Sequence, residues 1–211
     1  MGRPFISVVV TAYGRRDFLK YAVKSVINQT LDKGLYEIIV VKNFRDPPEI
    51  DRLIEDNRGK SIIMDAMSIG VKVAQGIRES EGEIVAFLED DDVWINRKLE
   101  FLIKAFTNND DLIYYHHNVY VINEKNQLIN DELVELTNIY YHIKARTSQE
   151  KLAVFRKYEW HPGLRVSSMA IRKSAYEKYI NTLRLLPDVI DVAIYALALT
   201  IPGLIMHEPG H

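Results

Sequence analysis

The feature that most constrains this chain is Ile84 to Trp94, IVAFLEDDDVW, where an apolar run of strand length stops at four consecutive acidic residues. Ile84 to Leu88 reads as a buried strand, which puts Glu89, Asp90, Asp91 and Asp92 at its C-terminal end. Unit charges about 4 Å apart repel by roughly 1 kcal/mol even in water. The cluster therefore needs a cation, a basic partner or full solvation, and a divalent metal is the economical answer. The plainer alternative, a solvated turn capping the next helix, fits poorly between a buried strand and Trp94.

With 211 residues, 47% of them hydrophobic, the chain has enough apolar material for one large core. Its 27 basic and 29 acidic side chains nearly cancel, which excludes a globally charged nucleic-acid binder. The absence of cysteine excludes disulfides and thiolate chemistry and leaves His, Asp and Glu as the strong metal ligands. The N-terminus, MGRPFISVVV, lacks the basic region, apolar segment and cleavage site of a signal peptide, the pattern of a cytoplasmic chain. The longest apolar region, Val192 to Met206, is broken by Pro202 and Gly203 and reads as a buried helix followed by a strand.

Ile6 to Thr11, ISVVVT, has the β-branched run of a central parallel strand covered on both faces. The turn AYGRRD follows, and then Leu19, Ala22, Val23, Val26 and Ile27 recur at helical spacing. Tyr36 to Val41 is a second strand, the two prolines 47 and 48 open a loop before a short helix at 50–55, and 61–64 is a weaker third strand. Gly70 to Arg78 is helical, and Gly82 stops that helix before the strand at Ile84. Such alternation through the first 105 residues predicts a doubly wound, mainly parallel α/β sheet with helices on both faces. Ligands bind such sheets beyond the strands' carboxyl ends. That rule brings Thr11 to Arg16, Lys42 to Asp46 and the acidic cluster to one rim. Beyond a helix at 97–106, Leu112 to Ile122 is strand-like, NEKNQ is a hairpin turn before Leu128 and Ile129, and 130–160 carries no clear pattern. Val166 to Ile171 reads as a strand, 173–183 as a helix, and Asp188 to Thr200 as an apolar helix. With no repeat or linker, the expectation is a single domain over 1–211, a nucleotide-binding half at about 4–105 and an irregular half at about 106–211.

Taken together, ISVVVTAYGRRDFLKYAVKSVINQT, YEIIVV and GIRESEGEIVAFLEDDDVW resemble, in order and spacing, the nucleotide-sugar-binding half of the glycosyltransferase family 2 enzymes, which have the GT-A fold. The resemblance covers Pro4 to Leu102 and continues in outline through VSSMAIRKSAYEKY and LPDVIDVAIYALAL. It implies inverting transfer of a sugar from a nucleoside diphosphate sugar to a hydroxyl acceptor, a glycan, a lipid-linked molecule or a small molecule, with Mg²⁺ or Mn²⁺. It implies no nucleic-acid partner and is compatible with a peripheral contact at the inner face of a membrane. By position, Asp91 is the metal ligand, Asp90 turns toward the ribose or the metal's waters, and Asp92 or Glu89 supports them. Thr11, Ala12 and Tyr13 would line the nucleobase and ribose, and Arg15 or Arg16 would approach the phosphates. A late histidine completes the metal shell in some related folds, which marks His207 as a minor candidate. Members of the family usually continue past the point where this chain ends.

Two departures stand out. Where the family carries an Asp-Asp pair after the second strand, this chain has Lys42 and Asn43; Asn43 can still donate and accept toward a base edge. Where an Arg-Asn pair is usual, Val73 and Ala74 stand, with Lys72 as a nearby substitute cation.

The chemistry also asks for a carboxylate that takes the acceptor's proton. Asp188 and Asp191, three residues apart at the start of an apolar helix, would share a face. Asp191 is preferred as the base, and one Asp capping the helix while the other is solvated is the structural alternative. His116 and His117 would point to opposite faces of a strand. The competing functions are a glycosyltransferase-like chain that binds nucleotide or a partner without transfer, and a sugar nucleotidyltransferase, whose Gly-rich, Arg-containing loop AYGRR matches poorly. A phosphoacceptor receiver domain is far shorter and draws its acids from separate strands.

Overall fold

The computed structural model describes residues 3–45 and 47–210. Asp46, the expected end of the second rim segment, and His211 lie outside the described residues. The elements in order are β1 (Ile6–Ala12), α1 (Arg16–Ile27), β2 (Tyr36–Lys42), α2 (Pro48–Glu55), β3 (Gly59–Ile63), α3 (Ile69–Glu79) and β4 (Ile84–Glu89). Then come α4 (Lys98–Thr107), β5 (Leu112–His117), β6 (Val121–Ile122), β7 (Leu128–Ile129), α5 (Glu132–Thr137), β8 (Ile143–Ala145) and α6 (Ser148–Tyr158). The last are β9 (Met169–Arg172), α7 (Lys173–Tyr176), α8 (Ile180–Arg184), α9 (Ile190–Thr200) and β10 (Leu204–Glu208).

Eight strands form one sheet in the order β3-β2-β1-β4-β9-β5-β10-β8. The first four are mutually parallel, as the alternating pattern requires. β9 then runs antiparallel between β4 and β5, and β8 runs antiparallel to β10, so the sheet is mixed in its second half. Both halves of the chain contribute to this one sheet.

Register explains why the site lies where it does. Ala12 stands opposite Lys42, and Thr11 opposite both Val41 and Glu89, so β1, β2 and β4 end level with one another. These strands are buried on both faces, and their side chains alternate between two layers. Val8, Val10 and Leu88 pack against α1, α2 and α4 on one side, while Val9, Val85 and Phe87 pack against α3, α8 and α9 on the other. Each fully buried aliphatic side chain contributes about 1.5–3 kcal/mol of hydrophobic stabilisation, enough to hold polar loops at the strand ends against their own solvation.

The second half departs from expectation in three places. The strand expected over 166–171 begins with a 3₁₀ turn, Val166–Ser168, and becomes β9 only at Met169. The helix expected over 173–183 is broken into α7, a 3₁₀ turn and α8. The helix expected from Asp188 begins instead at Ile190, because Val189 adopts φ 51° and ψ 36°. A left-handed β-branched residue is a real outlier and cannot continue a right-handed helix. The unassigned stretch contains α5, β8 and α6, the last opened by a capping box between Thr147 and Glu150. No helix among the described residues is long and apolar enough to cross a membrane.

The loop before α9 is held by α3. Ser68 caps α3 by accepting from the Val71 N–H and donates its own hydroxyl to the Leu186 carbonyl at 2.9 Å. A Cβ on Gly70 would lie 2.2 Å from the Leu186 carbonyl oxygen, so only glycine admits this approach. Gly70→Ala is expected to destabilise the fold by about 1–3 kcal/mol through overpacking, read from the midpoint of urea unfolding; an unchanged midpoint would contradict this docking of α3.

Candidate active site

The turn after β1, α3, the end of β4 and the start of α9 meet around a cavity of about 700 Å³ lined by Tyr13, Lys72, Glu89, Asp188 and Asp191, among others. Glu89 of the acidic cluster and the two aspartates near α9 thus face one space although about a hundred residues separate them.

The four acids of the cluster have four different environments. Asp90 is buried, and its two carboxylate oxygens are both engaged. Oδ2 accepts from the Tyr13 N–H at 2.9 Å, and Oδ1 accepts from Arg15 Nε at 3.0 Å. Burial raises its pKa, partly offset by these two donors. Asp90 thereby ties the β1–α1 loop to the end of β4. Gly14, at φ 70°, supplies the left-handed turn that lets this loop fold back. Asp91 is exposed, with a side chain 39% accessible and an ion pair to the Arg15 guanidinium.

Glu89 is half-buried, whereas Asp92, like Asp91, is exposed. Burial, then repulsion from Asp92 and Asp91, pushes the Glu89 carboxyl up to about 7, against the attraction of Arg15. The Asp92 carboxyl is likewise raised, by local desolvation, which a hydrogen bond from Ser167 opposes. Ser167 was not legible as a site residue, yet it organises this end of β4. Its hydroxyl accepts the Glu89 N–H at 2.9 Å, and its carbonyl accepts Trp94 Nε1 at 3.0 Å and Lys98 Nζ at 2.6 Å. Lys98 lies 4.3 Å from the centre of the Trp94 ring, and burial drives its pKa well below the usual lysine range.

At the neighbouring strand ends, Thr11 and Ala12 are buried in β1, and Thr11 Oγ1 has no hydrogen-bond partner among the described residues. Among the described residues Asn43 Oδ1 is also buried and unpaired, while its Nδ2 makes a long contact with Met67 Sδ at 3.8 Å. Lys42 points away into the fold and donates to Asp51 Oδ1 at 2.6 Å. Although burial works against its charge, hydrogen bonds from Lys42 and Ser61 hold the Asp51 carboxyl below its usual range. Lys72 is buried with its ammonium 4.5 Å from the Tyr13 ring centre. Burial lowers its pKa and the charge of Asp90 counteracts that. Arg16 stacks over Phe44 rather than approaching Asp91.

Across the cavity, Asp191 sits in the first turn of α9 and its Oδ2 accepts the Arg165 N–H at 3.0 Å. Asp188 is exposed and precedes the helix, so the expectation that the two aspartates share a helical face is corrected. Both strained residues here, Val189 at φ 51° and Arg165 at φ 64°, adjoin these aspartates in sequence or by hydrogen bond.

His207 is not at the cluster. Its Nδ1 lies 2.8 Å from Nδ1 of His116 and its Nε2 2.9 Å from the Ile139 carbonyl, so both ring nitrogens are committed inside the sheet. His116 and His117 do face opposite ways, His116 toward this pair and His117 into a second cavity.

Glu89 yields a pH dependence for the metal-free protein. Its carboxyl titrates near 4.5 when unfolded and near 7 when folded. Its stabilising contribution is therefore complete below the lower value and lost as pH rises through the higher. Urea unfolding in chelator is expected to show stability falling across that window, and Glu89→Gln is expected to flatten the fall. An identical slope in the variant would contradict the assignment.

Comparisons with known proteins agree with this geometry. Residues 7–180 match the sequence pattern described as Glycosyl transferase family 2. The chain is 26% identical over 185 residues to an uncharacterized glycosyltransferase of Methanocaldococcus jannaschii, a match covering 84% of this chain and 61% of that protein. It is 30% identical over 114 residues to the poly(ribitol-phosphate) beta-N-acetylglucosaminyltransferase TarP of Staphylococcus aureus, covering 51% of this chain and 35% of that one. Among solved structures, S. aureus TarS 1-349 superposes with a TM-score of 0.75 at 14% identity, covering 98% of this chain and 58% of that one. A mannosyltransferase of Pyrobaculum calidifontis, in complex with GDP-Man and Mn2+, superposes at 0.66 with 11% identity, covering 99% of this chain and 56% of that one. The chain thus spans under two thirds of the length of these relatives. Its fold is that of the GT-A glycosyltransferases, and the sequence match over most of its length makes it a member of glycosyl transferase family 2.

Proposed function

We propose that the chain transfers a sugar, with inversion, from a nucleoside diphosphate sugar to a hydroxyl acceptor, with a divalent cation held at the end of β4. The observation that carries this reading is the cavity in which Glu89, Lys72, Asp188 and Asp191 face one another. TarS has been solved in complex with UDP and with UDP-GlcNAc, which supports the same class of donor here.

The residues fit Mg²⁺ or Mn²⁺. Mutual repulsion helps to raise Glu89 and Asp92, the mark of a site short of positive charge. Among the described residues no three His, Asp or Glu side chains converge as a ready-made cage. That suits a cation that takes one or two carboxylates and completes its shell with phosphate oxygens and water. Asp91, with Asp92 beside it, would hold the ion. Bound there, the cation would neutralise charge developing on the leaving diphosphate, a contribution of several kcal/mol. Arg15, already paired with Asp91, is placed to turn toward the same phosphates. The unpaired Thr11 Oγ1 and Asn43 Oδ1 suit polar groups of the nucleoside, since a buried acceptor without a donor costs about 1–3 kcal/mol.

Asp191 is the proposed base. Two observations support this role: the Arg165 N–H holds its carboxylate, and it lines the same cavity as Glu89. The acceptor oxygen bonds to the anomeric carbon as the bond to the diphosphate breaks. The electron pair leaves with the diphosphate, and the acceptor's proton passes to Asp191.

Calorimetric titration with UDP, GDP, CDP and ADP, with and without Mn²⁺, is expected to find one base bound only with metal. Asp191→Asn is then expected to keep that affinity while turnover of the matching nucleotide sugar falls by about 10²–10⁴-fold. The absence of metal-dependent binding for every nucleoside diphosphate would overturn the reading. Wild-type affinity with no turnover of any nucleotide sugar would favour a nucleotide-binding chain that does not catalyse transfer.

A further inference from the structure

One peptide group joins the proposed base to a buried histidine. The Arg165 N–H donates to Asp191 Oδ2 at 3.0 Å, and the Leu164 carbonyl of the same peptide lies 3.0 Å from Nε2 of His116. The N–H and C=O of a trans peptide point in opposite directions, so this flat unit is held from both ends. Arg165 itself stands at φ 64°, a conformation that a residue with a side chain keeps only where its surroundings enforce it.

His116 of β5 and His207 of β10 stand opposite each other in the register of these parallel strands, and both are buried. Their Nδ1 atoms are 2.8 Å apart, and Nε2 of His207 lies 2.9 Å from the Ile139 carbonyl. The two rings thus make three contacts, to Leu164, to each other and to Ile139, and each contact needs one hydrogen. Burial lowers the pKa of both rings and keeps them neutral, so they have two hydrogens to give. One contact must go without. The Ile139 carbonyl already accepts from Asn118 Nδ2 at 3.0 Å. The Leu164 carbonyl has a weaker substitute, because the single hydrogen of the Ser168 hydroxyl lies between it, at 3.2 Å, and the Arg165 carbonyl, at 2.6 Å. A carbonyl left without a donor costs more than one that keeps another, which puts the two hydrogens on His207 Nδ1 and His116 Nε2.

We infer that His116 is a positioning residue for Asp191, acting through the Leu164–Arg165 peptide, and that His207 fixes the tautomer in which His116 can donate. Every donor in the chain then points the same way, from His207 to His116, from His116 to the Leu164 carbonyl and from the Arg165 N–H to Asp191, so that each bond polarises the next. Neither histidine lines the cavity that Asp191 faces, and their effect on the reaction passes through the peptide alone. The role in catalysis rests on the transfer reading, whereas the hydrogen-bond chain does not.

Nitrogen-15 NMR of the histidine-labelled wild type separates ring nitrogens that carry hydrogen from bare ones. At neutral pH His116 is expected to carry its hydrogen on Nε2 and His207 on Nδ1. Amide hydrogen exchange reads the peptide itself. His116→Leu is expected to speed exchange at the Arg165 amide by roughly tenfold or more, while the Val10 amide in β1 keeps its rate. His116→Gln, whose side-chain N–H can take the place of Nε2–H, is expected to restore the protection. Turnover of the matching nucleotide sugar is expected to follow the same order: kcat falls by about 10- to 100-fold in His116→Leu, donor affinity stays at the wild-type value, and His116→Gln recovers most of the rate.

A bare Nε2 on His116, or an Arg165 amide equally protected in wild type and His116→Leu, would overturn the inference. So would an unchanged kcat in His116→Leu, or a loss in His116→Gln as deep as in His116→Leu. The wild-type spectra and the His116→Gln comparison decide the matter even where His116→Leu does not fold. If the wild type itself turns over no nucleotide sugar, the transfer reading falls, and the ring spectra and the Arg165 exchange still decide the hydrogen-bond chain.

Discussion

The buried carboxylate of Asp90 is the constraint on which the donor side depends. It joins two loops distant in sequence through the Tyr13 N–H and the Arg15 side chain, at 2.9 and 3.0 Å. A carboxylate removed from water is tolerated only when its oxygens are paired, and here burial raises its pKa while these donors pull the other way. Because the clamp spends Asp90 internally, it fixes the backbone from which Asp91 projects and carries Tyr13 to the wall of the cavity. Lys72 packs beneath Tyr13 and is drawn electrostatically to Asp90, so the same carboxylate also anchors the buried cation of α3.

A second set of bonds, centred on Ser167, holds the opposite side of β4. One residue serves the Glu89 N–H, the Trp94 indole and the Lys98 ammonium. Trp94 and Lys98 line the second cavity, and Glu89 lines the first. The end of β4 thus borders both cavities, with Glu89 in the lining of one and Asp91 and Asp92 beside the aromatic rings of the other. Arg165 likewise reaches both, its N–H on Asp191 and its guanidinium on Thr137 of α5. Its left-handed backbone is a local cost that the two contacts offset.

The sequence made the first 105 residues legible because each strand there is a short β-branched run closed by a turn, and each helix has an apolar stripe. Level strand ends then followed from the parallel topology, and the acidic cluster fell on the rim without any knowledge of side-chain direction. What could not be read was which acid does what. Asp90 and Asp91 are chemically alike and adjacent, and only the fold-back at Gly14 buries one and exposes the other. The second half is harder for physical reasons. β8 has three residues, β9 emerges from a 3₁₀ turn, and α9 starts late because a valine takes a conformation that its side chain disfavours. Thr147 and Glu150 did carry a local signal, the spacing of a capping box, that marks the start of α6. Ser167 carried none: its importance lies in contacts with residues about seventy positions away.

The central claim, that Asp91 faces the cation while Asp90 holds the loop, is tested most directly by electron paramagnetic resonance titration of Mn²⁺ with a saturating nucleoside diphosphate. Wild type, Asp90→Asn and Asp91→Asn would be compared, with unfolding midpoints measured alongside. The account predicts that Asp91→Asn abolishes tight Mn²⁺ binding with little loss of stability, whereas Asp90→Asn lowers the midpoint and keeps one tight Mn²⁺ per folded chain. Tight Mn²⁺ binding retained in Asp91→Asn, or lost in a fully folded Asp90→Asn, would contradict it.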